Sequence, residues 1–210
     1  MGKMIVLAGN VGAGKSTLTT MLANILGFKP YYESVNDNPF LEDFYKDQKK
    51  WAYHLQTFFL FHRFNSIKQI IESGENSVLD RSIYEDAEIF AKNLYITGKM
   101  EEREYKTYRQ IFYTMLEFLK KPDLLIYIDA SVDTIIERIR KRGREMEMNV
   151  PREYWEQLDK LYKTWIKNYK ESPIYIIDGD KYDFVEKPDH FEYIVNDVKR
   201  MLNIEETYTM

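Results

Sequence analysis

Gly9-Asn10-Val11-Gly12-Ala13-Gly14-Lys15-Ser16 is the stretch on which the reading of this chain turns. It satisfies GxxxxGK[ST] at every fixed position. An apolar run, Met4–Ala8, precedes it and a helix-patterned segment, Ser16–Leu26, follows it. Glycines let successive backbone N–H groups turn inward around an anion. The start of the following helix adds partial positive charge. Lys15 can reach the outer phosphates and the Ser16 hydroxyl can ligate magnesium. Residues Gly9 to Ser16, with Thr17 next in the helix, are therefore expected to hold a nucleoside triphosphate. The loop alone does not separate a kinase from a GTPase or a motor.

Working outward, 210 residues suit one compact α/β domain with a sizeable core, expected over residues 1–203 with a tail at 204–210. A formal net charge of -4 provides no global field for nucleic-acid backbones, and no nucleic-acid partner is expected. The chain has no cysteine, which excludes disulfides, thiolate chemistry and Cys-ligated metal. Its apolar runs are far shorter than a membrane span, and the first strand begins too early for a cleavable signal. A cytoplasmic protein is expected. Aromatic residues make up 15%, which points to core and interface packing, with a few available to stack on a planar ligand.

Five short apolar or β-branched runs, Met4–Ala8, Lys29–Glu33, Ser77–Asp80, Leu124–Asp129 and Ile174–Asp178, alternate with longer helix-patterned segments. That alternation predicts a five-stranded parallel sheet with helices on both faces. Gly27 is placed to end the first helix and Gly74 a long one beginning near Trp51. Pro151 suits the first turn of a helix running to Tyr169; further helices are expected from about Val132, over Glu101 to Lys120, and over Asp189 to Leu202. Three stretches, Ser34–Phe40, Gly143–Val150 and Gly179–Pro188, read as loops at the sheet's ligand-binding edge.

A GTPase would need a guanine-reading NKxD sequence, which is absent; Ile177-Asp178-Gly179-Asp180 lacks the Asn-Lys pair. A small-molecule kinase needs a base at the acceptor hydroxyl, an acid near magnesium and cations over the transferred group. Glu33 ends the second strand. Asp80 ends the third and opens Asp80-Arg81-Ser82. Arg138, Arg140, Arg142 and Arg144 run into the Gly143 loop, with Arg138 and Arg142 on one helix face.

With these residues in place, the chain resembles the deoxynucleoside kinase family, and looks most like its bacterial deoxyadenosine/deoxyguanosine members. The resemblance implies a P-loop kinase fold with an arginine-bearing lid. It also implies transfer of the γ-phosphoryl group of ATP, with Mg2+, to the 5′-hydroxyl of a deoxynucleoside, and a homodimer built on two long helices. It implies that Glu33 takes the 5′-hydroxyl proton, that Tyr45 and Glu147 bind the sugar 3′-hydroxyl, and that Gln56 reads the base edge. Asp80 would face magnesium and Arg81 would hold the 5′-oxygen and the base. Arg142 and Arg144 resemble lid arginines, and Gly179 to Phe184, with Asp180, would enclose the adenine of ATP. The chain departs from the family in reading Glu33-Ser34-Val35-Asn36 where Glu-Pro-Val and a tryptophan are common, so the aromatic wall of the base pocket must come from elsewhere, with Phe40, Phe59 and Phe90 as candidates. Its signature acid is Asp80, one methylene shorter than Glu.

Arg63 lies two helical turns after Gln56 and on the same face, and Asp86 lies five residues after Arg81. Members that accept purines or deoxycytidine carry an arginine and an aspartate at the matching positions. The pair favours deoxyadenosine or deoxyguanosine, then deoxycytidine, and opposes the thymine methyl. Two other readings stay open: a nucleoside monophosphate kinase, which would need a further cationic site, and a nucleotide sensor, which would not need Glu33.

Overall fold

The structure is a computed structural model that describes residues 2–32 and 38–204. Five strands, β1 (Met4–Gly9), β2 (Lys29–Tyr31), β3 (Ser77–Asp80), β4 (Leu124–Asp129) and β5 (Ile174–Asp178), form one parallel sheet in the order β2-β3-β1-β4-β5. β1 sits at the centre and is buried along its whole length. Its side chains alternate. Met4, Val6 and Ala8 join one core, and Ile5 and Leu7 join the other. A parallel sheet needs both faces covered, because its crossovers place helices on each side. The edge strand β2 carries Lys29 and Pro30, both exposed, which discourages further strand addition.

One face is covered by α1 (Lys15–Leu26), contributing Leu18 and Leu22, and at the chain's end by α10 (Pro188–Met201), contributing Ile194 and Val198. The other face carries α3 (Gln48–Ser73), α6 (Glu102–Leu116) and α9 (Arg152–Asn168). The expected ends hold with shifts of a few residues. Gly27 and Gly74 close α1 and α3 in the left-handed conformation. α3 starts earlier than Trp51 because the Asp47 carboxylate accepts from the Lys50 N–H at 3.1 Å. α6 stops short of Lys120, since residues 117–119 tighten to i→i+3 bonds ahead of Pro122. Pro151 caps α9 from just outside its first turn.

Helical pieces in three stretches go beyond the pattern. α2 (Leu41–Lys46) precedes α3. After β3 come α4 (Ile83–Glu85), a π-helical turn (Asp86–Ala91) and α5 (Lys92–Ile96), and after α7 (Val132–Arg142) comes α8 (Glu145–Met148). β2 ends at Tyr31 rather than position 33; Glu33 and most of the Ser34–Phe40 loop lie outside the described residues, as does the tail from residue 205.

Candidate active site

The phosphate loop joins β1 to α1. Gly12 and Gly14 adopt φ of 81° and 102°, which side chains rarely tolerate. A Cβ on Gly12 would come within 2.9 Å of Ile139, and one on Gly14 within 3.0 Å of the Phe184 ring. Lys15 is buried, with Nζ donating to the Gly9 and Asn10 carbonyls at 2.9 Å each. Asn10 ties the loop to α9 by donating from Nδ2 to the Trp155 carbonyl.

Pairing in the sheet brings the next residues to the same edge. Leu7 of β1 sits beside Asp80 of β3, so the third strand ends next to the loop. The Ser16 hydroxyl donates to Asp80 Oδ2 at 2.5 Å, while the buried Oδ1 has no partner among the described residues. A hydroxyl and a buried carboxylate with a spare oxygen suit a hard cation that arrives with phosphates. Among the described residues no cluster of three or more His, Cys, Asp or Glu forms a dedicated metal cage.

Arg81 follows with φ 80°, a left-handed conformation for a residue with a side chain, costing on the order of 1–3 kcal/mol. Its N–H bonds the Leu7 carbonyl at 3.0 Å. Its guanidinium bonds Glu85 and Tyr162 and lies 4.5 Å from the Phe90 ring centroid. The π-helical turn then aims Asp86 and Phe90 into the same hollow; such turns recur at functional sites.

A cavity of about 230 Å³ opens between the phosphate loop and α3. Val11, Gly12, Lys15 and Ser16 line one end. Gln56, Asp86, Phe59 and Phe90 line another part, and Tyr45, Tyr154 and Glu147 a third. Gln56 is 5% exposed and its Oε1 has no partner among the described residues, an unusual state for a buried amide. Asp86 is held from behind by Arg63, with Nε to Oδ2 at 2.9 Å and Nη2 to Oδ1 at 3.3 Å. A further bond from Arg63 Nη1 reaches the Asp80 carbonyl. Burial and then the Glu147 charge raise the Tyr45 phenol, and burial pushes the Tyr154 phenol up to about 12, so both stay protonated donors. Arg142 and Arg144 both bridge to Glu147 and line the cavity.

The structure thus brings together Lys15, Ser16, Tyr45, Gln56, Asp80, Arg81, Asp86, Arg142, Arg144 and Glu147 in one hollow, with Arg63 behind Asp86. Glu33 is outside the described residues. Gly9, Ala13, Gly14 and Thr17 belong to the loop or helix without lining the hollow. Asp180 and Phe184 lie elsewhere. The Asp180 carboxylate accepts from the Ser131 N–H and hydroxyl at the start of α7. Burial favours its neutral form, but bonds from Thr134 and Ser131 and the Arg138 charge outweigh that and lower its pKa. Phe184 is core under the phosphate loop. Arg138 brackets the two segments, donating to the Ala13 and Gly179 carbonyls at 2.9 and 2.8 Å. Of the proposed aromatic walls, Phe59 and Phe90 face the cavity, whereas Phe40 stacks on Trp51. Sequence reasoning missed Phe44 and Tyr154 as lining, and Glu85. Tyr154 had a signal, a position one turn into the helix that follows the arginine loop. Glu85 had none beyond a helix-start pattern.

The deoxynucleoside kinase family model matches residues 5–203. A deoxyguanosine kinase of Lactobacillus acidophilus is 46% identical over 93% of this chain and 89% of its own. A Bacillus subtilis deoxyadenosine/deoxycytidine kinase is 42% identical over 95% and 93%. Among solved structures, a deoxyadenosine kinase from M. mycoides with bound dATP superposes with a TM-score of 0.81 at 34% identity, covering 93% of this chain and 99% of that one. By a family model that matches nearly its whole length and relatives at 42% and 46% identity, the chain belongs to the deoxynucleoside kinase family.

Proposed function

We propose that this deoxynucleoside kinase acts on purine deoxynucleosides, deoxyadenosine or deoxyguanosine, for nucleotide salvage, with deoxycytidine as a secondary acceptor. The observation that carries the reading is the buried Gln56 Oε1, unpartnered among the described residues, in the same hollow as Lys15, with the Arg63–Asp86 pair beside it. An amide offers donor and acceptor together and matches a base edge bearing an exocyclic amine and a ring nitrogen. The curated relatives are named for deoxyadenosine, deoxyguanosine and deoxycytidine, and M. mycoides structures carry dATP and dCTP.

In the proposed reaction the 5′-hydroxyl oxygen attacks the γ-phosphorus of ATP in line, the bond to the bridging β–γ oxygen breaks, and ADP leaves. The hydroxyl proton passes to the Glu33 carboxylate. Arg81 orients the attacking oxygen, and Tyr45 with Glu147 holds the 3′-hydroxyl. Lys15 turns from the loop carbonyls to the β- and γ-phosphates, and Arg142 and Arg144 leave Glu147 to meet the transferred group. Ser16 and Asp80 would hold Mg2+, which supplies charge neutralisation on the phosphate oxygens when bound. Asp180 and Phe184 are proposed to border ATP through the loop they anchor, since Phe184 supports Gly14 from below.

We place the enzyme in the cytosol, with the ATP pool, and as a homodimer of single domains spanning 1–203. Support for the dimer is the half-exposed Phe61 on α3 together with Tyr113 on α6. A monomeric mass in sedimentation equilibrium would remove that part. The acceptor reading is tested by offering four deoxynucleosides with ATP and magnesium and measuring 5′-monophosphate. A purine deoxynucleoside should rank first and thymidine last, and a thymidine-first ranking would overturn it.

A further inference from the structure

The Ser82-Ile83-Tyr84-Glu85 pattern is a capping box: the Glu85 N–H bonds Ser82 Oγ at 3.2 Å and the Ser82 N–H bonds Glu85 Oε2 at 2.7 Å. That local role uses one carboxylate oxygen. The other oxygen, Oε1, accepts from three groups distant from one another in kind. The Tyr162 hydroxyl donates at 2.8 Å from α9, the Arg81 Nη1 at 3.2 Å, and the Gly9 N–H at 3.2 Å from the mouth of the phosphate loop. Tyr162 also accepts from Arg81 Nη1 at 2.9 Å, closing a triangle. Glu85 is wholly buried, and burial followed by the Glu85 charge holds the Tyr162 phenol well above its ordinary range, so its proton stays available to donate.

We propose that Glu85, with Tyr162, is a positioning residue that fixes the Arg81 guanidinium and ties it to the phosphate loop at Gly9. The inference rests on the reading of Arg81 as the group that orients the attacking oxygen. The physical case is that Arg81 has a strained backbone and a long side chain, and such a group aims reproducibly only if its far end is held. Glu85 holds it with a counter-charge that water cannot reach, and the same oxygen fixes a backbone N–H of the loop. Acceptor and donor sites thereby share one anchor. Small displacements of such a group cost rate out of proportion to their size.

A capping box is served equally by Glu or Gln, so Glu85→Gln separates the two roles. Either orientation of the glutamine amide removes the counter-charge to Arg81: with its oxygen toward the Ser82 N–H the cap is kept and the Arg81–Tyr162–Gly9 cluster meets an N–H donor, and with the amide turned over the cluster faces only a neutral oxygen. In the purified full chain, kcat of Glu85→Gln should fall about tenfold to a hundredfold, with the KM values for deoxynucleoside and ATP changing less than about threefold. Tyr162→Phe should lower kcat about fivefold, the effect of one neutral hydrogen bond. Arg81→Gln should be slow, and Arg81→Gln/Glu85→Gln no slower than Arg81→Gln alone. Wild-type kcat in Glu85→Gln with a slow Arg81→Gln overturns the positioning role and leaves the Arg81 reading standing. Multiplied losses in the double variant also overturn it, because Glu85 would then act independently. Wild-type kcat in Arg81→Gln overturns both. Should Glu85→Gln not fold, Tyr162→Phe decides: a loss in kcat alone supports the role, and an unchanged kcat overturns it.

Discussion

A buried carbonyl oxygen with no hydrogen-bond partner destabilises a fold, and among the described residues Gln56 Oε1 has none. Its presence makes sense if a ligand completes it. Gln56→Leu, close in size, should therefore raise the unfolding free energy by about 1 kcal/mol while lowering kcat/KM for the deoxynucleoside by about tenfold to a hundredfold. Steady-state kinetics beside equilibrium unfolding measure both. Loss of stability together with activity would make Gln56 a structural residue. The Arg63–Asp86 pair is the opposite case, polar groups that satisfy each other. Arg63→Met leaves the Asp86 carboxylate buried without its guanidinium and should cost about 3 kcal/mol or more. Arg63→Met/Asp86→Ala should recover part of that loss and shift acceptor preference toward thymidine. An unchanged acceptor ranking would limit the pair to stability. Gln56, Arg63 and Asp86 were legible from the family resemblance together with spacing, Arg63 two helical turns after Gln56 and Asp86 five residues after Arg81. Glu85 was not legible, because its local spacing has a complete explanation as a helix start and its other partners, Gly9 and Tyr162, are far along the chain.

At the scale of elements, the proposed sugar end of the site depends on one junction. α2 carries Tyr45 and α3 carries Gln56, and Asp47 joins them: its N–H bonds the Asp43 carbonyl while its carboxylate caps α3. Asp47→Ala should cost about 1 kcal/mol and lower Tm by roughly 2–4 °C, read by calorimetry. It should also raise KM for the deoxynucleoside more than KM for ATP, since the phosphate loop lies on β1 and α1. Equal changes in both would show that the junction does not position the acceptor site. The elements easiest to read were those with a strong period and a defined stop, such as α1 between its phosphate loop and Gly27. The segment from Ile83 to Ile96 was harder. Its π-helical turn, Asp86–Ala91, breaks the 3.6-residue period that pattern reading relies on, and it is the part that turns Asp86 and Phe90 into the cavity.

Over the whole molecule, the alternation of runs predicts five parallel strands with helices on both faces, but not their order, β2-β3-β1-β4-β5, because right-handed crossovers are compatible with several orders. Nor could alternation supply how the aromatic residues divide between ligand and core. Most of the buried tyrosines serve the core. Tyr108 and Tyr162 are among the largest fully buried side chains, and Tyr84, Tyr127 and Tyr169 lie in the same cluster. Burial is the leading cause that raises the phenols of Tyr154 and Tyr169 to about 12, against 10.0 for an unhindered tyrosine. The native state therefore keeps these protons over a range where the unfolded chain gives them up. Stability contributed by the neutral phenols is complete below pH 10.0 and is lost as pH rises through about 12. For Tyr154 the loss amounts to about 2 to 3 kcal/mol once both values are passed. Unfolding free energy measured across this range should be level at first and then fall. Tyr154→Phe, which keeps the ring and removes the titrating group, should flatten the fall. An identical alkaline profile in Tyr154→Phe would mean that this phenol ionises in the native state as readily as in water, and that the wall it forms is open to solvent.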